Sequence, residues 1–327
     1  MKHDIRKIAI LTSGGDAPGM NAAIRAVVRT ALDEKISVTG IMHGYQGLID
    51  REFIPLYSSS VSSIIGRGGT FLKSSRSKEF RTPEGRAKAY QNLQDENIDA
   101  IVVIGGDGTF RGGELLMREC NNFPVIGLPG TIDNDLYGTD NTIGYDTALN
   151  TVVSAVDKIR DTAGSHDIIF FVEVMGRDAG YVALNSGIAV GAENILVPEE
   201  ITDVDKLVSK IEQDQRRKKT SGVIIVAEGD KFGATELARL VKEKMPDHEM
   251  RVTILGHVQR GGAPSCMDRV LASRLGYAAV HILKEGRWGV MVGQMNGQIT
   301  ETPFEKATKR EHSFDKGLLE MARRLSI

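Results

Sequence analysis

The sequence predicts an α/β protein built from two doubly wound, mostly parallel-sheet domains. Short apolar runs alternate with longer amphipathic stretches nearly throughout, the rhythm of strands and covering helices. Two of these runs, Ala100 to Ile104 and Pro124 to Leu128, end in loops rich in glycine and carboxylate, as buried parallel strands do at the ligand edge of a sheet. The chain has 327 residues, which favours two domains over one.

Taken in order, Ile8 to Leu11 reads as the first strand, followed by the loop Ser13 to Gly19 and a helix over Met20 to Leu32. Val38 to Met42, Ala100 to Ile104 and Val125 to Leu128 read as further strands. Apolar Leu149, Val152, Val153, Val156 and Ile159 share one face of a helix over Asp146 to Asp161. Strands at Ile168 to Val174, Ile195 to Val197, Val223 to Ala227 and Val252 to Leu255 continue the alternation. Helices are expected over Val204 to Arg217 and Ala234 to Lys244, and Asn296-Gly297 reads as a hairpin turn. No low-complexity linker marks a domain border; each half is expected to form a doubly wound sheet, with the main site between them.

Composition narrows the function classes. Lys plus Arg is 41 and Asp plus Glu 43, a net charge of −2 that argues against a general nucleic-acid coat. Cys120 and Cys266 supply neither a disulfide framework nor metal spacing. The start of the chain shows no signal-peptide pattern, and no apolar run is long enough for a bilayer span. A soluble cytoplasmic enzyme is the expectation, with no nucleic acid or membrane partner.

Gly105-Gly106-Asp107-Gly108-Thr109 offers bare backbone and a carboxylate, which suit a phosphate and its Mg²⁺. Thr12 to Asn21, between the first strand and helix, is a second anion-type loop that matches neither the P-loop nor the dinucleotide fingerprint. Its plainer reading is a tight βα turn without a ligand. Pro129-Gly130-Thr131-Ile132-Asp133-Asn134-Asp135 places a hydroxyl and two carboxylates where they could hold a second substrate and take its proton. The plainer reading there is an Asx-rich turn with solvated carboxylates. Arginines beside glycine recur at Arg67, Arg177 and Arg260, and a guanidinium grips phosphate with two parallel hydrogen bonds. Arg216-Arg217-Lys218-Lys219 reads as a solvated helix end. The residues together read as phosphoryl transfer.

These motifs give the chain a resemblance to the bacterial-type 6-phosphofructokinases. It rests on Leu11 to Arg25, Arg67-Gly-Gly-Thr-Phe-Leu72, Gly105 to Thr109, Pro129 to Asp135, Val172 to Arg177 and Leu255 to Gly262, and thins after about Trp288. The resemblance implies transfer of the ATP γ-phosphoryl group to the 1-hydroxyl of fructose 6-phosphate. It also implies a homotetramer with shared active sites. Residues 1–143 plus about 256–306 would form a nucleotide-binding domain, and about 144–255 plus 307–327 a sugar-phosphate-binding domain. Gly15, Arg76, Ser77, Gly108 and Thr109 would contact ATP, with Asp107 and Asp135 toward Mg²⁺. Asp133 would be the general base with Thr131 beside it, and Arg177 would stabilise the moving phosphoryl group. Met175, Gly176, Glu228, His257 and Arg260 would hold the sugar phosphate, with Arg251 reaching it across a subunit interface.

Family members that use pyrophosphate carry Asp where Gly108 stands and Lys where Gly130 stands, so two glycines favour ATP. The pyrophosphate-dependent form of the reaction and a non-catalytic regulatory subunit are the alternatives. Two departures from the family pattern stand out. Ile168 occupies the place of a phosphate-binding arginine, which predicts weaker and less cooperative use of fructose 6-phosphate. Arg25, Arg29, Arg160, Glu193, Arg217 and Lys219 match effector-binding residues, but Ser58 and Ser63 stand where an arginine and a Mg²⁺-binding aspartate are common. Altered nucleotide activation follows as an expectation.

Overall fold

A computed structural model describes residues 5–217, 221–309 and 314–326. The strands are β1 (Lys7–Thr12), β2 (Ser37–Ile41), β3 (Phe53–Leu56), β4 (Ala100–Gly105), β5 (Val125–Pro129), β6 (Ile169–Val174), β7 (Asn194–Leu196), β8 (Gly222–Ala227), β9 (Met250–Ile254), β10 (Val290–Met295) and β11 (Gln298–Pro303). The helices are α1 (Met20–Asp33), α2 (Gly44–Asp50), α3 (Pro83–Asp95), α4 (Asp107–Glu119), α5 (Tyr145–His166), α6 (Tyr181–Ala189), α7 (Val204–Arg216), α8 (Gly233–Lys244), α9 (Cys266–Lys284), α10 (Phe304–Ala307) and α11 (Lys316–Leu325). The chain divides into two units. One contains Met1–Ile132, Leu136–Thr147 and Arg260–His312, the other Asp133–Asp135, Ala148–Gln259 and Ser313–Ile327.

Among the described residues, the first unit holds a seven-stranded sheet in the order β11-β10-β5-β4-β1-β2-β3. Its inner pairings are parallel, and the edge strands β3 and β11 run antiparallel. The chain winds outward from β1 in one direction and from β4 in the other, so the loops after these two neighbours open at a topological switch point. Every residue of β4 and β5 is buried, which explains their continuous apolar runs. Ile101, Val103, Phe110, Leu116, Met291 and Phe304 belong to the core on one face of this sheet.

The second unit holds a four-stranded, all-parallel sheet in the order β7-β8-β6-β9. Phe171, Ile224 and Val226 pack with Leu207 and Ile211 of α7 and Leu237 and Val241 of α8. These apolar positions recur at helical spacing, so each helix buries one stripe against the sheet.

The doubly wound α/β expectation holds, and each expected strand lies within two residues of an observed one. The hairpin joins β10 to β11 through Asn296 and Gly297, both left-handed at φ 49° and 77°. Some boundaries differ. Helix α5 continues past Asp161 to His166, ending where Asp167 turns left-handed at φ 53°. Ile168 is therefore a buried connector, and β6 begins at Ile169. Helix α3 escapes hydrophobic patterning because its sequence is mostly polar, although Thr82 caps it through Gly85 N–H and Pro83 opens it.

Candidate active site

In the first unit, β1 and β4 deliver both glycine loops side by side. Ser13 N–H donates to Ile104 O at 2.9 Å, and Thr109 Oγ1 donates to Ser13 O at 3.1 Å. A Cβ at Gly105 would lie 2.3 Å from Thr109 Oγ1 and 2.4 Å from Ser13 O, so only glycine permits this approach. Ser74 Oγ closes the first loop by donating to Gly14 O at 2.6 Å. Helix α4 starts at Asp107 with no side-chain cap on its N-terminus, leaving a positive helix end for an anion. Asp107 Oδ1 accepts from Gly108 N–H at 2.6 Å.

The two glycines invoked for ATP differ in kind. A Cβ at Gly108 would meet nothing within 4 Å, so that position faces open space. At Gly130 it would meet Ile104 Cγ2 at 2.9 Å and Met20 Cε at 3.1 Å. A side chain at Gly130 would therefore also press on the packing at the end of β5.

The first unit also positions several other expected ligands. Arg260 lays its guanidinium over Gly15, where a Cβ would be 2.5 Å from Nη1, and donates to Asp16 O at 3.2 Å. It thus stands with the nucleotide-type loop. Thr131 is buried, its Cβ 3.7 Å from where a Cβ on Gly106 would project. Arg76 is exposed, whereas the Ser77 hydroxyl donates to Gln46 and accepts from Phe80 N–H.

In the second unit, Asp133 is 1% exposed and lies 3.2 Å from the Arg177 Nε. Arg177 occupies a turn after β6 in which Gly176 (φ 147°) and Arg177 itself (φ 53°) both have positive φ. Glu228, just after β8, holds this turn by accepting from Gly176 N–H at 3.2 Å and Arg177 N–H at 2.7 Å. Gln259, fully buried after β9, accepts from Met175 N–H at 3.2 Å and donates to Gly256 O at 3.0 Å. Sequence reasoning named Glu228 but passed over Gln259, whose only signal was its place beside His257 and Arg260. Asp135 is buried, and Tyr181 feels its charge: burial raises the phenol's pKa, and Glu199 and then Asp135 push it further up. His257 and Arg251 are exposed, Arg251 pairing with Glu249.

The effector candidates divide between the units. Arg25 and Arg29 lie on α1, and Ser58 and Ser63 are exposed around a short 3₁₀ turn in the first unit. In the second unit Arg160 contacts Glu193 at 3.2 Å and donates to Val190 O and Gly191 O, while Glu193 also accepts from Val223 N–H. Arg217 is exposed, and Lys219 lies outside the described residues.

Among the described residues, no group of three or more His, Cys, Asp or Glu is arranged to hold a metal by itself. A Mg²⁺ that arrives on nucleotide phosphates needs only one or two protein carboxylates, and Asp107 at a helix start fits that demand. No helix among them is long and apolar enough to cross a membrane.

A doubly wound sheet with glycine loops at its switch point, and a buried carboxylate–arginine pair, define a phosphoryl-transfer class of protein. The phosphofructokinase family profile matches residues 7–283, and the chain belongs to that family. The ATP-dependent 6-phosphofructokinase 2 of Bacteroides thetaiotaomicron is 54% identical over 324 residues, covering 99% of each chain. The ATP-dependent 6-phosphofructokinase 1 of Thermus thermophilus is 53% identical over 324 residues, 99% of this chain and 100% of the other. A phosphofructokinase structure from Saccharomyces cerevisiae superposes with a TM-score of 0.88 at 36% identity over 98% of this chain, which spans 48% of the yeast chain.

Proposed function

We propose that this chain is an ATP-dependent 6-phosphofructokinase that converts fructose 6-phosphate and ATP to fructose 1,6-bisphosphate and ADP, a step of glycolysis. The observation that carries the reading is the buried Asp133 beside Arg177, 3.2 Å apart in a chain about half identical to enzymes of that name. Asp133 accepts the proton of the attacking 1-hydroxyl as its oxygen bonds to the γ-phosphorus and the bond to the β-phosphate oxygen breaks. Arg177 stabilises charge on the phosphoryl group in transit. Thr131, Met175, Gly176, Glu228, His257 and Arg251 orient the sugar phosphate, while Arg260, first expected there, stands over Gly15 of the nucleotide-type loop. Gly15, Arg76, Ser77, Gly108 and Thr109 orient ATP. Asp107, with Asp135 nearby in sequence to the base, would hold Mg²⁺, whose chemistry there is neutralisation of phosphate charge.

The open space beyond Gly108 supports ATP over pyrophosphate as donor. A cytoplasmic homotetramer fits the exposed edge strand β9, which carries Arg251 beside Val252 and Ile254, 37% and 58% exposed. Arg25, Arg29, Arg160, Glu193, Arg217 and Lys219 would bind an anionic effector, and Ser58 and Ser63 would weaken nucleotide activation. A normal ADP activation curve at low fructose 6-phosphate overturns that last point.

The deciding experiment measures fructose 1,6-bisphosphate formation with Mg²⁺ and either ATP or pyrophosphate over a wide fructose 6-phosphate range. Turnover with ATP alone is expected. Turnover only with pyrophosphate would reverse the donor assignment, and turnover with neither would favour a regulatory subunit.

A further inference from the structure

The turn that carries Arg177 is anchored at both ends by carboxylates. Glu228 holds its beginning through the Gly176 and Arg177 N–H groups. At its far end Gly180 N–H, the N-cap of α6, donates to Glu199 Oε1 at 2.8 Å. The fit there is tight: a Cβ on Gly180 would lie 2.5 Å from Glu199 Oε2 and 2.6 Å from Val197 Cβ. Between the anchors, Ala179 N–H donates to Gly176 O at 3.0 Å, so the segment is one short closed turn. Arg177 sits in it with a left-handed backbone, φ 53°, which for a long side chain persists only when its surroundings impose it.

We propose that Glu199 is a positioning residue for phosphoryl transfer, holding the Arg177 turn through Gly180 without touching either substrate; this rests on the functional reading above. The working atom is Oε1 as an acceptor. Oε2 is buried with no hydrogen-bond partner among the described residues, and burial raises the carboxyl's pKa. Only Oε1 meets the turn, so an amide carbonyl in the same place can accept the same Gly180 N–H.

The test compares Glu199→Ala with Glu199→Gln in steady-state kinetics and in hydrogen–deuterium exchange of a peptide spanning residues 175–184. Glu199→Ala is expected to lower kcat by about 10- to 100-fold with the KM for ATP changed less than about 3-fold, because a misplaced group costs chemistry before binding. Glu199→Gln restores kcat to within about 3-fold and keeps the peptide protected, while Glu199→Ala raises its exchange. In an Arg177→Ala background, adding Glu199→Ala lowers kcat by less than about 2-fold, since the two act through one group. Exchange in the β8 peptide stays at the wild-type level if the fold is intact. Wild-type kcat in Glu199→Ala, equal impairment of the Gln and Ala variants, multiplying effects in the double variant, or unchanged exchange at 175–184 would each overturn the proposal. A wild-type chain inactive with both donors would sink the functional reading instead, and the exchange data would still decide whether Glu199 anchors the turn.

Discussion

Gly108 and Gly130 show why residue identity needs geometry before it becomes an argument. Gly108 faces open space, so Gly108→Ala is expected to leave the urea unfolding midpoint unchanged while raising the KM for ATP. Gly130 meets Ile104 and Met20, so Gly130→Ala overpacks the end of β5 and is expected to cost about 1–3 kcal/mol, read from the same midpoint. Equal stability of the two variants would refute this division. Asp133 is buried beside Arg177. On the base role proposed for Asp133, the near-isosteric Asp133→Asn is expected to lower kcat by about 10²–10⁴-fold with an unaltered far-ultraviolet spectrum. A fall under tenfold would take the base role from Asp133. The motif residues were legible in the sequence because each has a recognisable chemical type. The partners that hold them, Gln259 and Glu199, were not, since a lone Gln or Glu resembles any surface polar residue.

At the scale of elements, the start of α5 is held by a buried carboxylate. Asp268 of α9 accepts from Gly144 N–H at 2.8 Å, Thr147 N–H at 2.8 Å and Thr147 Oγ1 at 2.5 Å. Burial, with the charge of Asp146 acting the same way, raises its carboxyl's pKa despite these hydrogen bonds. A folded pKa above the unfolded one means the stabilisation is fully present below the unfolded value and is lost as pH rises through the folded value. Trp288 is the single tryptophan and belongs to the same unit, so its fluorescence reports urea unfolding there. The stability of the wild type relative to Asp268→Asn is expected to be greatest at acid pH and to decline as pH rises through the carboxyl range. A pH-independent difference would contradict it. The α5–α9 tie was invisible in sequence because Thr147 and Asp268 are 121 positions apart. Helix α3 was missed for a different reason: its buried stripe mixes Ala89 and Leu93 with Gly85, Arg86 and Asn92, which leaves little apolar pattern, and Thr82→Ala at its cap is expected to cost about 1 kcal/mol.

For the whole molecule, the exposed β9 edge bears on assembly. An edge strand with apolar side chains is a ready surface for another chain. Ile254→Lys on that edge is expected to lower the mass measured by light scattering below that of a tetramer and to raise the fructose 6-phosphate concentration at half-maximal rate. A tetramer of unchanged size and affinity would remove β9 from the assembly. Ile168 stands where the resemblance expects a phosphate-binding arginine. It is buried and 7% exposed, so Ile168→Arg tests substrate affinity only alongside its unfolding midpoint.

The alternating α/β architecture, the buried strands β4 and β5, the hairpin and the chemical types at the phosphate loops are all readable from the residues alone. Those properties are local: apolar period, glycine backbone freedom and carboxylate or guanidinium chemistry are written within a few consecutive residues. Folding in three dimensions is what lays Arg260 over Gly15, sets Ile104 and Met20 against Gly130, and brings Glu228, Gln259 and Glu199 to the backbone around Arg177. Each of those facts joins groups from separate parts of the chain. Which distant groups then share a hydrogen bond is set by packing, and no short window of sequence contains it.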